Sequence, residues 1–203
     1  MKTLEKVVGR DVSRETLVRI ERLTALLLAE NQLHNIISKS SEPNIWERHI
    51  LDSAQLLRFV PPGRSWSDVG TGPGLPGLVL AALDAGLKVM IEPRRLRVEF
   101  LLRTAADLEL PNVAIVFGKA SAATTGTDVI TARAVATPAK LFEMTSHLRH
   151  AGTTYVLPRG RNAHSELAEL RNTWQGDFGL HPSLTSDEAS ILVARNVRRR
   201  GNT

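Results

Sequence analysis

Residues 68–77 read DVGTGPGLPG, and Gly70, Gly72, Gly74 and Gly77 crowd four glycines into eight positions. Glycine occupies positive φ without steric cost, so this run makes a turn open to few other sequences. A short strand pattern, Trp66–Val69, precedes it, and an apolar helical pattern from about Leu75 to Ala85 follows, closed by Gly86. Strand, glycine turn and helix together form the opening unit of an open α/β sheet. The turn brings backbone close to a ligand, and the flanking residues bear on which ligand that is.

The spacing Gly72-x-Gly74-x-x-Gly77 satisfies the dinucleotide fingerprint. Asp68 argues against that use. It ends the strand just before Gly70, where a carboxylate would repel a pyrophosphate. A cationic ligand suits it better, and S-adenosylmethionine carries an ammonium and a sulfonium and no phosphate. Glu92 ends the next strand, about twenty residues past the loop, where a carboxylate accepts both ribose hydroxyls of a nucleoside. That device is common to nicotinamide and adenosyl cofactors. A phosphate-binding loop of the nucleotide kinase type is unlike this one, because no Lys-Ser or Lys-Thr follows the glycines.

Downstream, strand patterns at Lys88–Ile91, Val113–Phe117, Val129–Ala132, Thr153–Leu157 and Ile191–Val197 alternate with helical patterns near 93–108, 138–148 and 164–174. The alternation predicts a mostly parallel sheet covered on both faces, with ligands at the carboxyl ends of its strands. Upstream, residues 1–62 read as helix. Leu17, Ile20, Leu23, Leu27 and Leu28 recur at helical spacing after a Ser13 cap. A second helix is expected over about 44–59, stopped by Pro61-Pro62-Gly63. The chain therefore divides into a helical extension, 1–62, and a sheet-containing unit, 63–203.

The 203 residues include no Cys, which excludes disulfides, thiolate metal sites and Cys nucleophiles; no metal is expected. The N-terminal stretch has no signal-peptide pattern and no apolar run approaches a membrane span, so a cytoplasmic protein is expected. The formal net charge is +5, compatible with a polyanionic partner such as nucleic acid.

Five stretches in order carry a resemblance: Asn35-Ile36-Ile37-Ser38, Arg48-His49-Ile50-Leu51-Asp52-Ser53, the loop 68–77 itself, Arg97-Val98-Glu99-Phe100-Leu101, and residues 128–135, DVITARAV. They resemble the bacterial small-subunit ribosomal RNA guanine-N7 methyltransferases, also called glucose-inhibited division protein B, over about residues 31–160. The resemblance implies a Rossmann-like class I S-adenosylmethionine-dependent methyltransferase fold with an N-terminal helical extension. It implies methylation of a guanine in the decoding-region loop of 16S rRNA, free or within the small ribosomal subunit. Cofactor contacts carry over to Gly70, Gly72, Leu75, Ala120, Ser121 and Arg133, with Asp68 and Glu92 at the acidic positions. Residues facing RNA or the reacting base map onto Asn35, His49, Lys119 and Arg133, and Arg94, Arg95, Arg97 and Arg159 form a candidate phosphate-binding set. The sequence departs from the family at Ser121, where an acid is usual, at Pro158-Arg159, where a Lys is usual, and at Glu30, where a Trp is usual.

N7 of guanine offers a lone pair without deprotonation, so no general base is required. Alignment and hydrogen bonding to O6 would supply the rate, with Arg133 as the chief group and Asn35 and His49 assisting. Plainer roles stand beside these: Arg133 paired with Glu92 or Asp68, His49 a structural histidine with Asp52 at i+3, Asn35 a cap, and Arg198-Arg199-Arg200 a disordered tail. Two other functions stay open: a nicotinamide-dependent oxidoreductase, and a non-catalytic RNA-binding or assembly protein on a methyltransferase fold.

Overall fold

The computed structural model describes residues 2–201. Its centre is a seven-stranded sheet in the order β3-β2-β1-β4-β5-β7-β6. The strands are β1 (Trp66–Val69), β2 (Lys88–Glu92), β3 (Val113–Phe117), β4 (Val129–Thr131), β5 (Thr154–Arg159), β6 (Trp174–Pro182) and β7 (Ser190–Arg199). β1 to β5 pair in parallel, and β7 runs antiparallel between β5 and β6. The order reverses direction at β1, which lies between β2 and β4. Chains leaving β1 and β4 diverge there, and the crevice at their carboxyl ends is where such sheets bind ligands.

Period-2 alternation builds two cores. Trp66, Met90, Val129 and Val156 point to one face, and Val69, Ile91, Ile130 and Leu157 to the other. The first face is covered by α1 (Lys2–Val8), α2 (Arg14–His34), α4 (Gly77–Leu83) and α5 (Arg95–Asp107); the second by α6 (Pro138–Met144) and α7 (Ala163–Thr173). The helical extension thus shares a continuous core with the sheet. Ser13 caps α2 through Thr16 N, as its position predicts. On the polar side of α2, Arg22 grips Asp107 with two bonds, Arg19 donates to Leu108 O, and Arg103 reaches Glu30 at 3.1 Å. Glu30 is buried, and its second oxygen takes His34 at 2.8 Å. Glu30 is therefore the centre of a charged clasp of α2 onto α5.

Four expectations need correction. The second helix of the extension is not one α-helix. It is a chain of short forms: 3-10 at Lys39–Asn44, π at Trp46–Leu51, a single α turn at Asp52–Ala54 (α3), and 3-10 again at Gln55–Phe59. Apolar spacing predicts the buried side but not the winding. The helix after the glycine loop spans Gly77–Leu83 and ends at an extended Asp84, so Gly86 is not its cap. Gly86 is needed because a Cβ there would run into the backbone carbonyl of Arg64. β6 was not expected at all: Gly176, Asp177, Gly179 and Pro182 break any strand pattern, and the segment is extended only because β7 pairs along it, with a register shift between Gln175 and Asp177. That pairing also orders the basic end of the chain. Arg198 lies opposite Gln175 and Arg199 opposite Trp174, so these residues are strand, not tail.

At the amino-terminal ends of the strands lies a buried ion pair to which the extension is tied through Arg10. Lys88 Nζ lies 3.0 Å from Asp84 Oδ2, and both side chains are almost fully enclosed. Asp84 also accepts from Arg10 of the extension and from the backbone N–H groups of Gly63 and Gly86. Removing one partner of such a pair leaves a buried uncompensated charge. Asp84→Ala should lower unfolding stability by about 3 kcal/mol or more, measured by urea denaturation.

Candidate active site

The loop after β1 is shaped by Asp68. Its Oδ2 accepts Thr71 Oγ1 at 2.5 Å and Gly77 N at 2.8 Å, drawing both ends of the turn onto one oxygen. Gly70, Gly72 and Gly74 all have positive φ, at 66°, 61° and 88°. A Cβ on Gly74 would overlap Leu78, and one on Gly70 would meet Val135 at 2.7 Å, so the turn tolerates no side chain at either place. Leu75 is buried against the core of the first face.

The other oxygen of Asp68 has no partner. Oδ1 is buried and accepts no hydrogen bond from the described residues, and the same holds for Thr131 Oγ1 on the neighbouring strand, which is opposite Asp68 in register. Burial pushes the Asp68 carboxyl up to about 6, against the opposing pull of Thr71, Gly77 and Arg133. A buried, unsatisfied carboxylate oxygen at the mouth of a glycine loop is a vacancy for a donor, and a cationic one suits it best.

Glu92, at the carboxyl end of β2, is buried. Its Oε2 accepts Gly72 N and its Oε1 accepts Arg94 N, each at 2.9 Å. The carboxylate therefore links the glycine loop to the start of α5 and keeps further lone pairs for hydroxyl donors. Arg97 lies 3.9 Å from Glu92 and against Gly72, so it belongs to the loop region and is not a free surface cation. After β3, Ala120 is buried in a 3-10 turn while Lys119 and Ser121 are exposed beside it.

Arg133 follows β4 and meets the extension. Nη1 approaches Asp52 Oδ2 at 3.6 Å and His49 Nδ1 at 3.2 Å. The partner is thus Asp52, not Glu92 or Asp68, although Asp68 lies near enough for its charge to favour the guanidinium. His49 lies in the π turn Trp46–Leu51 and Asp52 directly after it, and both reach Arg133. His49 Nε2 lies 2.8 Å from Ser41 Oγ, whose own proton goes to Ser38 O at 2.7 Å. Nε2 must then be the donor, which leaves Nδ1 as an acceptor for Arg133. Burial and the charges of Arg133 and Arg48 hold the His49 imidazolium down to about 4, so the ring is neutral near pH 7. His49 is a holder of Arg133 rather than a proton donor.

Asn35 is the left-handed cap of α2, with φ 48°, its N–H bonded to Asn31 O and its side chain exposed. No hydrogen bond ties it to the Arg133 cluster among the described residues. Arg159 is fully engaged: two bonds of 2.7 Å to Glu166 and one of 3.0 Å to Ala136 O use all three nitrogens. Its role is to fix the wall beyond β5, not to offer a free cation. Arg94, Arg95 and Lys119 remain exposed on the rim, Arg95 in a surface pair with Glu99. Sequence reasoning did not single out Asp52 as a site residue, nor Gln55 and Thr185 as its partners, nor Thr131 opposite Asp68; Asp52 and Thr131 stood in recognisable stretches, but as plain members of them.

Among the described residues no group of three or more His, Asp or Glu is placed to hold a metal, and no helix is long and apolar enough to cross a membrane. The family model of rRNA small subunit methyltransferase G (GidB) matches residues 16–191. A ribosomal RNA small subunit methyltransferase G from Rhizorhabdus wittichii is 40% identical over 200 residues, covering 96% of this chain and 92% of that protein. One from Erythrobacter litoralis is 42% identical over 182 residues, covering 87% of each. Among solved structures, a SAM-dependent methyltransferase from Aquifex aeolicus superposes with TM-score 0.62 at 15% identity, covering 77% of this chain and 94% of that one. An MtNAS variant in complex with S-adenosylmethionine gives TM-score 0.58 at 18% identity, covering 89% and 72%. The chain therefore belongs to the family of rRNA small subunit methyltransferase G, built on the Rossmann-like S-adenosylmethionine-dependent methyltransferase fold.

Proposed function

We propose that this chain methylates N7 of a guanine in the decoding-region loop of 16S rRNA, free or within the small ribosomal subunit, as a cytoplasmic enzyme. The observation that carries the reading is the buried, unpartnered Oδ1 of Asp68 at the glycine loop, with the Arg133 cluster beside it at the carboxyl end of β4. S-adenosylmethionine supplies an electrophilic methyl group on a sulfonium, with an ammonium at the far end of the same arm. Asp68 Oδ1 would hold that ammonium. Gly70, Gly72 and Leu75 form the floor beneath it, Glu92 takes the ribose hydroxyls with its remaining lone pairs, and Ala120 and Ser121 edge the adenine.

The base must leave its stack to reach this crevice. Arg133 is the group to bond its O6, with the positive charge offset by Asp52 and Asp68. Holding N7 in line with the methyl group is then the chief contribution to rate. His49 keeps Arg133 in place. Lys119, Arg94 and Arg95 supply exposed cations for phosphates, and Asn35 leads into the turn beneath His49. Transfer of labelled methyl to rRNA lacking the modification tests the reading; tight RNA binding without transfer would favour the non-catalytic assembly role instead.

Two further outcomes are expected. By calorimetry the chain binds S-adenosylmethionine and not NADH, and Asp68→Asn weakens binding at least about tenfold. The cation prefers ionised Asp68, which protonates as pH falls through about 6. Affinity should therefore drop about tenfold per pH unit below that value and stay level above it, and Asp68→Asn should flatten the dependence. The same raised value makes protonation favour the ligand-free fold, so that form loses stability from about pH 4 to about 6 and Asp68→Asn does not. For His49→Ala, turnover should fall about tenfold to a hundredfold with unchanged cofactor affinity. Because His49 is already neutral well above pH 4, the native rate profile should carry no His49 titration between pH 5 and pH 8.

A further inference from the structure

Beside Arg133 a cleft of about 270 Å³ opens at the carboxyl ends of β4 and β5, lined by Asp52, Arg133, Ala134, Pro158, Arg159 and Ile191. Asp52 is its carboxylate. Oδ1 is committed, accepting Gln55 Nε2 and Thr185 Oγ1, each at 2.9 Å. Oδ2 accepts no hydrogen bond from the described residues and stands 3.6 Å from Arg133 Nη1. The side chain cannot swing away, because Gln55 is itself locked. Its Nε2 also reaches Ser183 Oγ and Thr185 Oγ1, and its Oε1 accepts Leu184 N at 2.8 Å, tying the start of the 3-10 helix after α3 to the turn between β6 and β7. A fixed carboxylate, its Oδ2 held only by the 3.6 Å charge contact with Arg133, therefore faces a base-sized cleft next to the arginine.

We propose that Asp52 Oδ2 reads the Watson–Crick edge of the target base and so selects guanine over adenine. The inference rests on the reaction proposed above. Both purines offer a free N7 lone pair, so the chemistry at N7 cannot tell them apart; the choice has to be made elsewhere on the base. Guanine presents N1–H and the 2-amino group, both donors, to a carboxylate. Adenine presents an N1 lone pair, which a carboxylate repels. Arg133 beside it matches O6 of guanine and opposes the 6-amino group of adenine. One acceptor and one donor side by side match guanine and not adenine.

The same carboxylate would act on the rate. In the transfer the sulfur–carbon bond breaks and the N7–carbon bond forms from the N7 lone pair. Positive charge passes from sulfur to the base, and no proton is lost. The N1–H becomes more acidic as the base turns cationic, so its bond to Asp52 strengthens along the reaction. An interaction that grows toward the transition state raises turnover as well as binding.

The test uses rRNA assembled around a synthetic segment with guanosine, inosine or adenosine at the target, free or reconstituted into subunits. Inosine keeps N1–H and O6 and lacks the 2-amino group. The native chain should methylate inosine about tenfold more slowly than guanosine, and adenosine about a thousandfold more slowly or worse. Asp52→Asn keeps an acceptor oxygen for Gln55 and Thr185 but removes the charge beside Arg133, so the chain should stay folded with a lowered thermal midpoint and unchanged S-adenosylmethionine affinity. Its kcat/KM on guanosine should fall about tenfold to a hundredfold, and inosine should come within about threefold of guanosine. Where turnover of the variant is too slow to follow, the ratio of its affinities for the guanosine and inosine RNAs decides in the same way. A native chain that treats guanosine and inosine alike, or an Asp52→Asn chain that keeps the native ratio, would overturn the assignment. A native chain that transfers nothing to guanosine would instead overturn the parent reading.

Discussion

The structure turns on one buried carboxylate. Asp68 spends one oxygen on folding the glycine loop, through Thr71 and Gly77, and leaves the other unpaired in a site shut off from water. An unpaired buried oxygen is costly, and burial shows this cost by raising the carboxyl to about 6. A fold that keeps such a group without an internal donor stores a preference for a ligand that brings one. The same residue thus builds the loop and sets the sign of the charge the loop welcomes.

The helical extension completes what the sheet begins. Arg133 belongs to the sheet unit, but its anchors, His49 and Asp52, come from the segment before β1. They are delivered by a stretch wound successively as 3-10, π, α and 3-10 helix, not as one regular helix. The irregular winding coincides with the residues that meet Arg133, as π turns often do at functional sites. Gln55 then ties this stretch to the turn between β6 and β7, so three distant pieces of chain meet around one cleft. Arg10, bonded to Asp84 beside Lys88, performs a similar joining task at the opposite ends of the strands.

Much of this architecture is legible in residue order. β1, β3 and the positions of the carboxylates at Asp68 and Glu92 follow from apolar runs, turn residues and the glycine spacing, because each is a local property. β6 is not legible, since Gly176, Asp177, Gly179 and Pro182 have no preference for extension and take it from β7. The basic end of the chain fails for the same reason: three consecutive arginines look solvated until a neighbouring strand pairs with two of them.

The sequence alone determined the parallel α/β scaffold, the loop that approaches a ligand, the sign of its charge and the family resemblance. These rest on local backbone preference and on spacing along one chain. Tertiary structure alone decided that Arg133 pairs with Asp52, that His49 is a neutral acceptor, that Arg159 is occupied by Glu166, and that Asp52 turns Oδ2 toward the cleft beside Arg133. Each of those outcomes depends on which groups meet after folding and how much water they lose, and neither quantity is written in the order of residues.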